Sequence, residues 1–246
     1  MDNNESLEQT TIMRQLTEKY QTASPFPHIV IDNFWDEEEL NKATDEIENM
    51  PEHVWTGNLD GTSNESIVQQ KKMALNLPES LEGYAPTMQR VMRTLNSHQF
   101  ISWLERLTNI QGLYADDKNL GGGLHRTRNG GKLSIHSDFN YHPITLQHRR
   151  INALLYLNRD WKYNGNLELW EPDMSRCVHS ISPIFNRLVV FNTTDKALHG
   201  HPEKLVCPDD VSRLSLAMYY YSDDRPNDEK GPFHMAKWYE RPNIGY

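Results

Sequence analysis

Hydrophobic and polar positions follow different patterns on the two sides of residue 112. Before it, apolar residues recur at helical spacing after the N-cap candidate Asp36, and again at about 84–95 and 98–108. After it, short apolar runs of strand length alternate with turn residues. These runs cover residues 132–138, 150–158, 166–171, 178–182, 186–192 and 211–221. The pattern predicts helices packed against an all-β half that forms a sandwich or a barrel.

The N-terminal part divides further. Residues 1–24 form a polar lead, partly helical around 12–20, and residues 26–34 predict a strand. Asp36 followed by Glu39 predicts a capping box, and the helix it opens runs to about residue 49. Residues 52–78 are expected to be irregular or short-stranded, with turn signals at 58–61. We therefore expect one domain over 25–246, with a support layer to 111, a β core over 112–222 and a C-terminal extension over 223–246.

Composition narrows the function classes. The 246 residues carry a net charge of −9, and residues 36–50 alone carry −6, which predicts a solvated helix face. No clustered basic surface is apparent, so we expect no nucleic-acid partner. No apolar run approaches about 18 residues and the first 24 lack a signal-peptide core, so we expect no membrane and a cytoplasmic protein. Cys177 and Cys207 lie outside any Cys-x-x-Cys pair, which argues against structural zinc.

The triplet 136–138 carries candidate chemistry. Side chains alternate along a strand, so His136 and Asp138 point to the same face. An imidazole and a carboxylate on one face are two of the three ligands of the facial triad found in non-haem Fe(II) oxygenases. A second histidine from a distant strand would complete it. A surface pair or a hydrogen-bonded polar pair is the alternative, because one His-x-Asp can arise by chance.

Two later segments supply partners. His199 and His201 both follow the strand at 186–192, and the residues alone leave open which of them joins the triplet. On the strand 211–221, Arg213 and Ser215 share a face. A guanidinium in so apolar a strand needs an anion, either a ligand or a protein carboxylate. Fe(II) with two neutral histidines and Asp138 carries one positive charge and Arg213 adds another, which the two carboxylates of 2-oxoglutarate would neutralise.

The order of these motifs resembles the Fe(II)/2-oxoglutarate-dependent dioxygenases, in the prolyl 4-hydroxylase-like branch. The motifs are His136-x-Asp138, Tyr156-Leu157-Asn158 with Asp160-Trp161, His199 and Arg213-x-Ser215, and the tract 150–161 is especially close. The resemblance is good over 115–222 and loose over 25–110. It implies an α+β, mainly β fold: a double-stranded β-helix, or jelly-roll, core braced by N-terminal helices.

The resemblance also implies residue roles. His136, Asp138 and His199 would bind Fe(II), and these three with Arg213 form the expected catalytic set. Arg213 would hold the distal carboxylate of 2-oxoglutarate. Further expected residues are Ser215 and Tyr156, whose hydroxyls would help to bind the cosubstrate, and Asn152 as a weaker cosubstrate contact. His201 and Tyr141 are expected to contact the metal ligands or the substrate. Arg149 or Arg150 could equally line the pocket or lie on the surface.

The implied activity is hydroxylation of an unactivated C–H bond, with O2 and 2-oxoglutarate consumed, succinate and CO2 released, and ascorbate as an auxiliary reductant. The family branch suggests a prolyl residue in a peptide. A free amino acid or another small metabolite fits as well, and a non-catalytic sensor of iron and 2-oxoglutarate is the alternative of a different class.

We expect the loops 56–66, 115–131 and 139–148 to contact the substrate and the insert 203–210 to form part of the rim of the site. The oligomeric state is left open.

Overall fold

The computed structural model describes residues 3–56, 67–75 and 78–246. Within these residues the helices are α1 (Asn3–Gln21), α2 (Glu37–Glu48), α3 (Pro86–Leu95) and α4 (His98–Thr108). The strands are β1 (His28–Ile31), β2 (Gln69–Leu75), β3 (Tyr114–Ala115), β4 (Gly123–Ser137), β5 (His148–Tyr156), β6 (Leu167–Trp170), β7 (Cys177–Ile181), β8 (Leu188–Asn192), β9 (Leu198–His201), β10 (Ser212–Ser222) and β11 (Lys237–Trp238). The turn predicted at 58–61 and the substrate loop over 57–66 lie outside the described residues.

The strands form one antiparallel sheet that curls on itself. Its order is β1-β8-β5-β10-β4-β9-β6-β7, with β2 and β11 also paired to β4 and β3 paired to β10. The strands β1, β8, β5 and β10 make one layer and β9, β6 and β7 make the other, while β4 joins the two. The predicted jelly-roll core with N-terminal helices is confirmed.

Strand β4 changes layers at a pair of glycines. The prediction that Gly130 and Gly131 lie in a loop before a strand at 132–138 is wrong, because β4 runs through both. Its first half pairs with β10 and its second half with β9. Gly130 has a φ of +78°, and a Cβ on Gly131 would lie 2.8 Å from the carbonyl oxygen of Gln70. Only glycines permit this bend and this close approach, which let one strand line both walls of a cavity.

The N-terminal helices cover the outer face of the β1–β10 layer. Apolar side chains from α2, α3 and α4, among them Leu40, Met88 and Leu104, share one core with Ile151 and Leu216 of the sheet. The polar lead is helical over more of its length than predicted. Its Tyr20 is fully buried and donates a hydrogen bond to Asn192 Oδ1 at 2.6 Å. The first helix is therefore part of the packed structure.

Only one of the two hydrogen bonds of the predicted capping box forms at the start of α2. Asp36 Oδ1 accepts a hydrogen bond from the Glu39 amide at 2.8 Å. The reciprocal half of a capping box is missing, because the Glu39 carboxylate accepts from the indole of Trp35 instead. The helices predicted near 84–95 and 98–108 are confirmed as α3 and α4, which begin at Pro86 and His98.

Strands β2 and β9 were not located from sequence, and both carry residues that border the cavity of the sheet. Strand β2 lies in the segment 52–78, which was expected to be irregular or short-stranded, and pairs with β4. Its pairing is interrupted at Lys71, which has a φ of +49°, so Gln69 and Lys72 both border the same cavity. Strand β9 occupies the stretch expected to be a loop after residue 192 and carries both candidate histidines. No helix within the described ranges is long and apolar enough to cross a membrane.

Candidate metal and cosubstrate site

Three side chains meet where β4 ends beside β9. His136 lies directly across the ladder from His199, and Asp138 follows the last residue of β4. The Asp138 oxygens lie 3.5 Å from His136 Nε2 and 3.6 Å from His199 Nε2. One candidate ligand atom from each residue lies within 4.8 Å of the other two. The two imidazoles and one carboxylate can therefore reach a single ion from one side, as in a facial triad.

Backbone carbonyls fix the orientation of both imidazoles. His136 Nδ1 lies 2.9 Å from the carbonyl oxygen of Ser134, and His199 Nδ1 lies 2.9 Å from that of Ala197. A carbonyl oxygen only accepts, so each Nδ1 carries a proton, and a neutral ring held in this way presents the lone pair of Nε2 to a metal. Burial, partly opposed by Asp138, lowers the pKa of His199 to about 4. Both rings are thus oriented as metal ligands require, with their second nitrogens held by the surrounding backbone.

Asn152 and Arg149 also contact the carboxylate of Asp138 and hold it in place. Its Oδ2 accepts hydrogen bonds from Asn152 Nδ2 at 2.8 Å and lies 3.1 Å from Arg149 Nη2. Burial would raise the pKa of this carboxyl, but Arg149 and the two histidines together hold it well below its usual range. The group is therefore ionised, as a hard cation requires of a carboxylate ligand.

Arg149 is the most deeply placed cation of the site. Its side chain is 1% exposed, and its guanidinium carbon lies 3.5 Å from the centre of the Tyr219 ring and 4.3 Å from that of Phe139. Its Nη2 also donates to Asn152 Oδ1 at 2.7 Å. The sequence did not show whether Arg149 or Arg150 lines the pocket. Arg149 borders the cavity, whereas Arg150 donates to Ser222 and to the carbonyl oxygen of Asp224.

Arg213 stands at the other end of the same cavity. Its Nε donates to the carbonyl oxygen of Gly165 at 2.7 Å and its Nη2 to the Tyr156 hydroxyl at 3.3 Å. No ion pair joins it to a carboxylate among the residues that the structure describes, so the alternative of a protein salt bridge loses its support. A buried guanidinium without a counter-ion is costly, and an anionic ligand would supply one.

The neighbours of Arg213 suit an anion as well. Ser215 is buried on the same face of β10 and borders the cavity. Burial, partly opposed by Arg213, raises the pKa of Tyr156, so its hydroxyl stays protonated. Gly165 has a φ of +90°, and a Cβ there would lie 3.2 Å from Arg213 Cδ. Gly165 therefore orients Arg213 through its carbonyl oxygen and leaves room for the arginine side chain.

The cavity between these two ends is small and mixed in character. Its volume is about 180 Å³, below the range of about 300–1,000 Å³ typical of sites for drug-sized ligands. Leu154, Leu167 and the ring of Tyr219 form part of its wall, together with the carboxylate of Asp138 and the guanidinium of Arg213. Such a cavity suits a small acid that spans from the candidate metal site to Arg213.

The remaining expected residues divide into two groups. His201 borders the cavity, is 4% exposed and does not belong to the His136–Asp138–His199 cluster. Asn152 borders it too, but its amide contacts Asp138 and Arg149. Tyr141 lies outside the cavity lining; its hydroxyl donates to the carbonyl oxygen of Gly231 and its ring packs on His148.

Several residues that line the cavity were not predicted from the sequence. Lys72 comes from β2, His125 and Thr127 from the first half of β4, and Trp238 from β11 in the C-terminal extension. The Trp238 ring centre lies 4.9 Å from that of His136. None of these residues lies in a motif, and only the pairing of β2 and β11 with β4 brings Lys72 and Trp238 to the site. The one feature of the sequence that could have indicated any of them is strand alternation, which places His125 and Thr127 on the same face of β4.

Comparisons with known proteins bear on this fold and site. Residues 122–221 match the model of the 2OG-Fe(II) oxygenase superfamily, a stretch that contains β4 to β9 and all but the last residue of β10. The region of the chain that carries the candidate site is thus the part that is similar to the 2OG-Fe(II) oxygenases. A comparison with curated protein sequences finds no match.

Solved structures share the fold over most of the chain. A Trichoplax adhaerens prolyl hydroxylase, in complex with a peptide fragment of hypoxia inducible factor, aligns with a TM-score of 0.65 and 16% identity over 91% of this chain and 94% of its own. HygX from Streptomyces hygroscopicus, with nickel, 2-oxoglutarate and hygromycin B bound, aligns at 0.58 and 13% identity over 92% and 97%. A Pseudomonas putida prolyl-4-hydroxylase aligns at 0.52 and 15% identity over 85% and 98%. At these identities the likeness concerns the fold.

A substitution at Asn152 tests whether its hydrogen bond to Asp138 supports metal binding. Replacing Asn152 by alanine removes the amide that donates to Asp138 Oδ2, and such outer contacts are typically worth about 10- to 100-fold in metal affinity. We expect a loss of this size in the affinity for Mn(II), measured by calorimetry. The matched control is Asn158→Ala, since Asn158 lies just beyond the same strand but binds the carbonyl oxygens of Pro183 and Leu214. That variant should lower stability and leave metal affinity within about threefold; equal losses in both variants would exclude a specific contribution of the Asn152 hydrogen bond.

Proposed function

We propose that the protein is an Fe(II)- and 2-oxoglutarate-dependent hydroxylase. The observation that carries the proposal is the pairing, across one small cavity, of a His-Asp-His cluster with an arginine that has no carboxylate partner among the described residues. The superfamily match over 122–221 supports the same reading. Bound Fe(II), with 2-oxoglutarate and O2, supplies the oxidising chemistry that hydroxylates an unactivated C–H bond and releases succinate and CO2.

The residues of this chain then have distinct tasks. His136, Asp138 and His199 would hold the metal and leave its remaining positions open. Arg213, with the hydroxyls of Tyr156 and Ser215, would bind the distal carboxylate of 2-oxoglutarate and set its direction along the cavity. Arg149 and Asn152 would keep Asp138 ionised and oriented. The apolar wall between the two ends would exclude water from the reacting centre.

The substrate is proposed only by class. It is a small molecule or a segment of peptide, since the fold is shared with a prolyl hydroxylase in complex with a peptide and with HygX in complex with hygromycin B. A prolyl residue follows from the family branch that the tract 150–161 resembles. A free amino acid or another metabolite would enter the same opening.

The decisive experiment needs no substrate. We expect the purified protein, given Fe(II), ascorbate and O2, to convert 2-oxoglutarate slowly to succinate, as measured by chromatography. Chelation of the metal should stop the reaction, and added Fe(II) should restore it. Binding of 2-oxoglutarate without any succinate would favour the sensor that forms the alternative class. Absence of metal-dependent 2-oxoglutarate binding would refute the proposal.

A further inference from the structure

Lys72 adds a positive charge to the cavity for which the proposed chemistry has no use. It projects from β2, opposite Thr127 of β4, and borders the cavity together with Arg213 and Asp138. No hydrogen bond or ion pair joins its ammonium group to any other described residue. Burial lowers its pKa to about 8, with Asp138 opposing the shift and Arg213 adding to it. At pH 7 the group is still mostly charged.

The charge balance of the loaded cavity is therefore positive. Asp138 is the one carboxylate among the described residues that line it, while Lys72, Arg149 and Arg213 are cations. Fe(II) and 2-oxoglutarate carry opposite charges of equal size and cancel. Asp138 then offsets one of the three cations, and two positive charges remain. Uncompensated charges in a partly buried cavity favour a further anion strongly.

The surroundings of Lys72 also have the hydrogen-bonding capacity of an anion subsite. His201 is 4% exposed and its Nδ1 has no hydrogen-bond partner among the described residues. A histidine ring nitrogen that carries a proton donates a hydrogen bond, so the unpartnered Nδ1 of His201 can supply one donor to an anion. Gln69 borders the same cavity from the other side of the interruption at Lys71.

We infer that the substrate carries an anionic group, a carboxylate or a phosphate, and that Lys72 binds this group with help from His201. The inference rests on the proposed function and names the substrate class for the same site. It also assigns the unpartnered nitrogen of His201 to the substrate rather than to the metal. Lys72 is then a specificity-determining residue contributed by a strand outside the region that matches the superfamily.

The test uses small probes that fit a cavity of this size. Protein in excess over Mn(II), saturated with 2-oxoglutarate, is mixed with acetate, with inorganic phosphate or with uncharged acetamide. Relaxation of the probe's methyl protons or of its phosphorus by Mn(II) reports binding close to the metal site. We expect acetate or phosphate to bind about tenfold more tightly than acetamide, as befits a hydrogen bond to a charged group. Whether acetate or phosphate binds better identifies the kind of anion.

Variants assign the effect to Lys72. Lys72→Met should reduce anion binding to the level of acetamide and keep the affinity for 2-oxoglutarate within about twofold, whereas Lys72→Arg should retain most of the preference. The matched control is Lys71→Met, because Lys71 is the adjacent residue but is exposed, with its ammonium group on the carbonyl oxygen of Asn129.

Three results would overturn the inference. One is equal relaxation of charged and uncharged probes, including no binding of either. Another is loss of anion binding in Lys71→Met as well. The third is a Lys72→Met variant whose main defect is weaker 2-oxoglutarate binding, which would give Lys72 to the cosubstrate. Failure of the proposed function looks different, since the wild-type protein would then bind no 2-oxoglutarate in a metal-dependent way.

Discussion

Replacing Asp138 by alanine should abolish turnover and also destabilise the metal-free protein. Loss of a ligand should cost more than loss of an outer contact, so we expect succinate formation to fall by more than about 100-fold. The same change leaves the guanidinium of Arg149 buried without its counter-ion. Removing one partner of a buried ion pair typically costs about 3–5 kcal/mol of unfolding free energy. Succinate assays and urea denaturation of the chelated protein measure the two effects.

The variant His199→Ala separates these two roles of Asp138. It removes a candidate ligand but leaves the contact between Asp138 and Arg149 in place. We expect the same loss of turnover and a clearly smaller loss of stability than in Asp138→Ala. Undiminished turnover in either variant would refute the metal site. Equal destabilisation of the two variants would refute the account of Arg149.

Replacing Arg213 by methionine should raise the KM for 2-oxoglutarate far more than it lowers kcat at saturation. Truncating one partner of a buried, hydrogen-bonded charge pair costs about 2–5 kcal/mol, or roughly 30- to several thousand-fold in affinity. Lysine at this position should recover part of the affinity, since it keeps the charge and loses the second donor. Direct binding of 2-oxoglutarate to the Mn(II)-loaded protein checks the KM effect.

A second arginine provides the control for this measurement. Arg187 forms an ion pair with Asp32 at the protein surface, so Arg187→Met should leave the KM for 2-oxoglutarate within about twofold. If Arg213→Met instead binds 2-oxoglutarate normally and fails only in kcat, the distal carboxylate does not lie at Arg213. The proposed direction of the cosubstrate would then be wrong.

The parts of the site that could be predicted from sequence are those governed by local rules. Strand periodicity alone put His136 with Asp138 and Arg213 with Ser215 on shared faces. The ladder between β4 and β9 places His199, and not His201, opposite His136, which favours His199 as the third ligand. Register between distant strands depends on the whole sheet, so periodicity could not choose between the two histidines, and only the family resemblance favoured His199.

The residues that were missed owe their position to non-local pairing. Strand β2 has the sequence Gln-Gln-Lys-Lys-Met-Ala-Leu, whose first half shows no alternation of polar and apolar residues. The left-handed backbone at Lys71 turns Lys72 inward, and lysine gives no signal of such a conformation. Strand β11 has only two residues, too few for any period to be read. Helices α2, α3 and α4, by contrast, carry apolar stripes of their own and were predicted closely.

Two short strands, β2 and β11, pair with β4 and contribute residues to the cavity. Substitutions in these strands can therefore be separated from substitutions at the candidate metal ligands. The candidate metal ligands and Arg213 lie within residues 122–221, whereas Lys72 and Trp238 come from segments before and after that region. Exchanging residues on β2 or β11 alters the wall of the cavity while the ladder between β4 and β9 keeps its register. Natural selection or protein engineering could therefore change the substrate of such an enzyme through substitutions in β2 and β11, without changing the residues that hold the metal.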